Sequence, residues 1–140
     1  IDDVLFHSAQ RSIELYNQAY GTALTFDDWY TESTDLEYWR DSWGSDESAV
    51  LVRRVVGTYA SEDFEPVEVM SGAQDVLTRL KNDGHELFAV TGRSEAIRPQ
   101  TLALLQNSFS EMFSNDNLFF VDHFEHDGKK ASKADVAMNL

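Results

Sequence analysis

The segment Glu86–Arg93, with the sequence ELFAVTGR, decides the fold that this chain is expected to adopt. Its run Leu87–Val90 is apolar, as in a strand that is buried on both faces of a sheet. We predict that this strand ends at Thr91 and that Gly92 and Arg93 form the turn after it. A hydroxyl and a turn rich in backbone amides at a strand end suit an anion such as phosphate. A strand end that simply turns in solvent is the alternative interpretation of the same residues.

Helical patterns flank this predicted strand, which spans 86–91. Apolar residues recur at helical spacing in Gly72–Asn82 and again in Arg98–Asn107, where Pro99 suits a first helical turn. A second short apolar run, Leu118–Val121, predicts another strand. Alternating helices and strands are typical of an α/β fold with a parallel sheet, in which ligands bind at the carboxyl edge.

The composition is that of a globular protein in which acidic residues strongly outnumber basic ones. The 140 residues include 25 acidic and 11 basic side chains, for a net charge of −14, and no cysteine. Disulfides and thiolate metal sites are therefore excluded, and no apolar run approaches the roughly 20 residues that span a bilayer. A cytoplasmic protein that repels nucleic acids and anionic membranes is expected, and an anionic substrate would need a bound cation or a local basic pocket.

The first residues carry two adjacent acids, Asp2 and Asp3, between apolar neighbours. This pattern predicts the carboxyl end of a strand whose earlier residues precede Ile1; a frayed acidic terminus is the alternative. Adjacent carboxylates repel, so burying both requires a cation nearby.

Residues 8–65 have the pattern of a helical insertion with no evident strand. Ser8 could cap a helix over Ala9–Tyr20, the segment at Thr25 resembles another helix start, and a further helix is predicted over Glu47–Ala60.

Aromatic residues are concentrated in the middle of this insertion. The three tryptophans of the chain lie within 15 positions. Such side chains could stack on a nucleobase, or they could form a small core between the helices of the insertion. The residues concerned are Trp29, Tyr30, Trp39 and Trp43.

A lysine-rich segment follows the second predicted strand. It contains Lys129, Lys130 and Lys133, and Ser132 is a plausible cap for a last helix over Lys133–Leu140. An acid pair, a threonine that ends a strand and a lysine at a helix start thus follow one another along the chain.

This order of motifs resembles the haloacid dehalogenase superfamily of phosphohydrolases. The first motif of the family, Asp-x-Asp-x-Thr/Val, matches Ile1–Val4 at its last four positions, with Asp2 as the second aspartate. The second motif matches Phe88–Thr91. The third is best matched by Lys133, with Lys130 as the second choice.

The resemblance implies a Rossmann-like three-layer α/β/α fold built around a parallel sheet, with a small helical cap inserted after strand 1. The core would comprise 1–7 and 66–140, and the cap 8–65. The helix and strand around ELFAVTGR look most like the 5′(3′)-deoxyribonucleotidase branch. The nucleophilic aspartate is expected just before Ile1 and the fourth motif beyond Leu140, so that the chain would be a fragment of a longer protein.

The resemblance also implies a chemistry, namely the Mg²⁺-dependent hydrolysis of a small phosphomonoester through an aspartyl-phosphate. The family would use Asp2 as the general acid and, through its backbone carbonyl, as a metal ligand. Thr91 would hydrogen-bond a phosphoryl oxygen, and Lys133 would balance charge. Three further residues could bind substrate: Gly92, Arg93 and His7. Arg93 could equally pair with Glu95 at the surface, His7 could be a solvated loop residue, and Asp3 is assigned no role.

Two other functions fit parts of the pattern. A catalytically inactive relative could bind a phosphorylated ligand or a protein partner. A phosphoacceptor receiver domain also uses acids, a threonine and a lysine in this order, but it needs an acceptor aspartate where this chain has aromatic helices. A nucleoside monophosphate and a sugar phosphate are both possible substrates, and the sequence does not indicate an oligomeric state.

Overall fold

Two short parallel strands, β1 (Ala89–Thr91) and β2 (Leu118–Phe120), pair in the computed structural model, which describes residues 1–121 and 132–140. The register pairs Ala89 with Leu118 and Thr91 with Phe120. A helix in the intervening chain makes this a strand–helix–strand unit with parallel strands, as expected of such connections. The mixed α/β class and the parallel pairing are therefore confirmed, whereas the structure describes a sheet of two strands rather than a full three-layer fold.

The α-helices of the described residues are α1 (Ser8–Tyr20), α2 (Phe26–Trp29), α3 (Leu36–Trp43), α4 (Ser48–Ala60), α5 (Ala73–Asn82), α6 (Arg98–Phe109) and α7 (Lys133–Ala137). Short 3-10 turns lie at Glu62–Phe64, Glu95–Ile97 and Ser110–Met112. In this part of the chain, no helix has the length and apolar character that are needed to cross a membrane.

The chain forms two compact units. One comprises Ile1–Phe6 together with Val69–Leu140, and it contains both strands. The other, His7–Glu68, contains α1 to α4. The predicted core comprised 1–7 and 66–140, and the predicted cap comprised 8–65.

The predicted strand at 86–91 is shorter in the structure because its first half is not fully buried. The Phe88 side chain is 40 % exposed and packs beside Phe119, with ring centroids 6.2 Å apart. Regular pairing starts at Ala89, whose N–H donates to the carbonyl of Asn117 at 2.8 Å. The strand still ends at Thr91, as predicted.

The helices on either side of β1 confirm the spacing argument to within one or two residues. Helix α5 begins after Gly72, which has a φ of +80°, and ends before Gly84, at +88°. Helix α6 starts at Arg98 with Pro99 in its first turn, and it continues to Phe109 rather than Asn107. The last residue of α6, Phe109, is fully buried in the core.

Residues 1–6 form a turn in which Asp2 makes an isolated β-bridge to Phe6, and the strand expected before Ile1 stays a prediction. The N–H of Asp3 donates to the carbonyl of Phe6 at 2.9 Å, and that of Leu5 donates to the carbonyl of Ile1 at 2.8 Å. Asp3 has a φ of +51°, a left-handed conformation that aspartate tolerates in turns. Phe6 is buried and bridges to Val69 in an antiparallel sense.

The core of the strand-containing unit lies between α6, the strands and this first turn. Phe109 contacts Phe6 and Phe113, with ring centroids 5.5 Å and 6.2 Å away. The other buried apolar side chains of this unit include Ala89, Ile97, Leu104, Leu105, Leu118 and Val121.

The helical unit has an aromatic core of its own. Its buried centre comprises Ile13, Tyr16, Leu24 and Trp43, and its partly buried surround comprises Trp29, Tyr38, Trp39, Leu51 and Val55. Trp43 stacks on Trp29 with ring centroids 5.4 Å apart. The three tryptophans thus serve as core between helices, whereas Tyr30 is exposed.

Several helix starts in this unit differ in detail from the predictions. Ser8 is the first residue of α1 and is buried, and the cap position is His7, which makes no side-chain capping bond. Thr25 does cap α2, in a reciprocal capping box with Asp28. Helix α4 begins at Ser48, and Glu47 occupies its N-cap position without a side-chain capping bond.

Helix α7 confirms the predicted cap but is shorter than Lys133–Leu140. Ser132 and Asp135 form a capping box, and the helix ends at Ala137. Both Lys129 and Lys130 lie outside the described residues.

Candidate functional site

An ion pair between Arg93 and Asp2 stands at the carboxyl end of β1. The Nε of Arg93 donates to Oδ1 and to Oδ2 of Asp2, each at 3.1 Å, and its Nη2 donates to Oδ1 at 2.6 Å. The Arg93 side chain is 3 % exposed and that of Asp2 25 %. The guanidinium thus donates to both carboxylate oxygens, in the bidentate geometry that strengthens arginine–carboxylate pairs.

Arg93 also bonds to two threonines. Its Nη1 donates to Thr101 Oγ1 at 3.3 Å, and its backbone N–H donates to Thr91 Oγ1 at 3.2 Å. Both threonines are buried. Asp2 at the first turn, Thr91 at the end of β1 and Thr101 on α6 therefore share one partner.

The turn after β1 presents both a hydroxyl and backbone amides. Thr91 is 1 % exposed, whereas Gly92 and Ser94 are half-buried. Because a hydroxyl can donate as well as accept, the Thr91 side chain keeps a donor while it accepts from Arg93. A ligand would approach this turn from the side of Gly92 and Ser94.

Lys133 is the first residue of α7, and α7 packs against β1. Lys133 is exposed. Lys133 belongs to the same compact unit as Asp2 and Thr91.

Two of the other predicted residues are placed differently. His7 belongs to the helical unit, where it is half-buried and its N–H donates to the carbonyl of Glu68 at 2.8 Å. Arg93 was expected either to reach a ligand or to pair with Glu95 at the surface, but it is buried against Asp2. Glu95 instead forms a surface ion pair with Arg98.

The resemblance implies a Mg²⁺ site that includes Asp2. Within 1–121 and 132–140, no group of three or more histidine, aspartate or glutamate side chains is arranged to hold a metal ion. Both Asp2 oxygens already accept from a guanidinium, which is an unfavourable neighbour for a cation. The Mg²⁺ ligand that the resemblance implies is the backbone carbonyl of Asp2, so the Mg²⁺ site stays a prediction.

The sequence revealed neither side-chain contact of Arg93, with Asp2 or with Thr101. The available signal was Thr101, which precedes the apolar run of α6 at a position that helical spacing places on the buried face. A buried threonine there could indicate a polar partner, but the partner's identity depends on the fold.

Comparisons with known protein families, curated proteins and solved structures find no match for this chain.

Proposed function

We propose that this chain carries the phosphate-binding segment of a phosphomonoester hydrolase of the haloacid dehalogenase type. The β1–α6–β2 unit would be one part of a larger parallel sheet in a three-layer arrangement. The substrate would be a small phosphorylated molecule, with a nucleoside monophosphate as the first candidate.

The observation that carries the proposal is the shared attachment of Asp2 and Thr91 to Arg93. Asp2 bonds to the Arg93 side chain and Thr91 to its backbone N–H, at the carboxyl end of a strand in a parallel pair. This edge is where parallel α/β proteins bind ligands. Lys133 supplies a cation at the start of a helix that packs on the same strand.

The residues would share the work of holding a phosphoryl group. The turn amides of Gly92 and Ser94 are suited to donate to its oxygens, and Thr91 would contribute its hydroxyl. Lys133 would offset its negative charge, which matters in a protein with a net charge of −14.

Hydrolysis would proceed by two displacements at phosphorus. A carboxylate, placed by the resemblance just before Ile1, attacks phosphorus while the alcohol leaves with a proton, and water then cleaves the aspartyl-phosphate. Both carboxylate oxygens of Asp2 accept from Arg93, so that proton donation by Asp2 requires this ion pair to loosen. Mg²⁺ dependence stays a prediction for the assay below.

A second candidate, a phosphate-binding relative without turnover, is favoured by the same ion pair. A carboxylate that is held at both oxygens is a poor proton donor. In that case the turn after β1 would bind a phosphorylated ligand. The ion pair of Asp2 with Arg93 would only hold this turn in its conformation.

The test is an assay of phosphate release from p-nitrophenyl phosphate by the product of the natural gene, with Mg²⁺ and with EDTA. Turnover that EDTA abolishes is expected. Thr91→Val and Lys133→Gln should each lower the rate about 100-fold, the scale for loss of one donor to a developing charge. Thr78→Val and Lys81→Gln, which change exposed residues of α5, are the matched controls.

Three outcomes separate the candidates. Turnover that depends on Thr91 and Lys133 supports the hydrolase. Saturable phosphate binding without turnover supports the binding relative. Turnover that is unchanged in both variants contradicts this location of the site.

A further inference from the structure

A pair of aromatic rings stands on the surface of the helical unit, apart from its tryptophan core. Phe26 and Tyr30 are each 55 % exposed, and their ring centroids are 5.0 Å apart. Leu36, a few residues further along, is 60 % exposed. Exposed apolar side chains that pack on one another, rather than standing singly, are a feature of interaction surfaces.

The backbone beneath this pair is held firmly. The capping box between Thr25 and Asp28 closes the start of α2. Tyr38 of α3 donates its hydroxyl to Asp28 at 3.0 Å, and Trp29 stacks on Trp43 in the core. The pair is thus presented on a fixed support, which lowers the entropic cost of binding.

The chain around the pair is strongly acidic. Residues 25–47 contain eight acidic side chains and a single basic one, Arg40, which pairs with Asp46. Asp27 and Glu32, close to the pair in sequence, are both exposed. The surface therefore combines apolar rings with negative charge.

This combination decides the kind of partner. A second copy would bring acidic residues against acidic residues, and nucleic acids and anionic lipids would be repelled. Lysine or arginine side chains can instead pair with the carboxylates and lie over the aromatic faces. We propose that the Phe26–Tyr30 surface binds a basic, amphipathic segment of a partner protein.

The test uses the purified chain and three synthetic peptides of equal length. One is amphipathic with lysine and leucine, one has serine in place of leucine, and one has glutamate in place of lysine. All three tryptophans lie within the helical unit, and Trp29 is on α2 itself, so tryptophan fluorescence reports binding. The lysine–leucine peptide should bind at least about 10-fold more tightly than either of the others.

Paired variants locate the binding surface. The double variant Phe26→Ser with Tyr30→Ser should weaken binding of the lysine–leucine peptide about 10-fold, and Asp27→Asn with Glu32→Gln should weaken it about 3-fold. The matched controls are Val76→Ser, at an exposed apolar position of α5, and Asp75→Asn with Asp83→Asn. Both controls should bind as the wild type does.

Three results would overturn the proposal. Equal binding of the lysine–serine peptide, or unchanged binding in the Phe26 and Tyr30 variant, would show general attraction to an acidic protein. A wild-type dimer in sedimentation that becomes monomeric in that variant would assign the surface to a second copy instead.

Discussion

Arg93 donates three hydrogen bonds to the carboxylate of Asp2, joining two residues that are 91 positions apart in the chain. The contact fixes the first turn of the chain to the loop that follows β1. Its two partners differ in exposure, since the arginine side chain is 3 % exposed and the aspartate side chain 25 %. This difference makes the consequences of removing each partner unequal.

Asp2→Asn should destabilise the protein more than Arg93→Met. The asparagine variant keeps a buried guanidinium without its carboxylate, at an expected cost of about 3–4 kcal/mol. The methionine variant places an apolar chain in the buried position and leaves a partly hydrated carboxylate, at about 1–3 kcal/mol. Urea unfolding at neutral pH measures both.

The double variant and a surface pair provide the comparison. Asp2→Asn with Arg93→Met should be about as stable as Arg93→Met alone, because the two residues act as a unit. Glu95→Gln, in the exposed pair with Arg98, should cost no more than about 1 kcal/mol. Additive single effects would contradict the pairing.

Phe109→Ala should lower the free energy of unfolding by about 3–5 kcal/mol. Phe109 is fully buried between Phe6 and Phe113, and its truncation leaves a cavity that the turn and α6 cannot fill. Phe88→Ala, at a partly exposed position of the same unit, should cost clearly less. Equal losses in denaturant unfolding would argue against this core.

The stability of the helical unit should fall at alkaline pH through Tyr16. Burial raises the pKa of Tyr16 above its ordinary value of 10.0, and its hydroxyl donates to the carbonyl of Trp43 at 2.8 Å. The unfolded chain loses the proton first, so the contribution is complete below pH 10.0 and is lost as the pH rises toward the folded pKa.

Tyr16→Phe checks this assignment. The variant should cost about 1 kcal/mol at neutral pH, for the missing hydrogen bond, and should show a shallower loss of stability above about pH 10. Urea unfolding between about pH 8 and 11 measures both effects. Parallel pH dependences of wild type and variant would show that Tyr16 does not contribute.

Thr25→Ala should cost about 1 kcal/mol, because it removes the cap of α2. Thr25 and Asp28 bond to each other in both directions, through side chain and backbone. Thr25→Ser, which keeps the hydroxyl, is the matched control and should stay near the wild type. Unfolding followed by tryptophan fluorescence observes this unit directly.

The sequence predicted the elements whose signals are local. Helices α5 and α6 follow from apolar spacing bounded by glycine and proline, and Thr91 ends β1 as expected. Short capping patterns also identified the starts of α2 at Thr25 and of α7 after Ser132. Each of these depends on neighbours within a few positions.

Features that depend on distant contacts were missed. Arg93 was treated as a surface or ligand residue because nothing near it in sequence shows that Asp2 will meet it. The turn that follows Asp2 was also not predicted, because it depends on Phe6 packing in the core beside Phe109. Burial of Trp43 among helices was one of two open alternatives, since aromatic content alone does not distinguish core from ligand contact.

The most direct test of the account is whether phosphate binds at the turn after β1. A titration of the ¹⁵N-labelled chain with inorganic phosphate, against chloride at equal ionic strength, should shift the backbone amide signals of Gly92 and Ser94 saturably. The amides of Gly84 and His85, which precede the strand, should stay unchanged. Absence of a saturable shift at Gly92, or an identical shift in chloride, would contradict a phosphate site at this strand end.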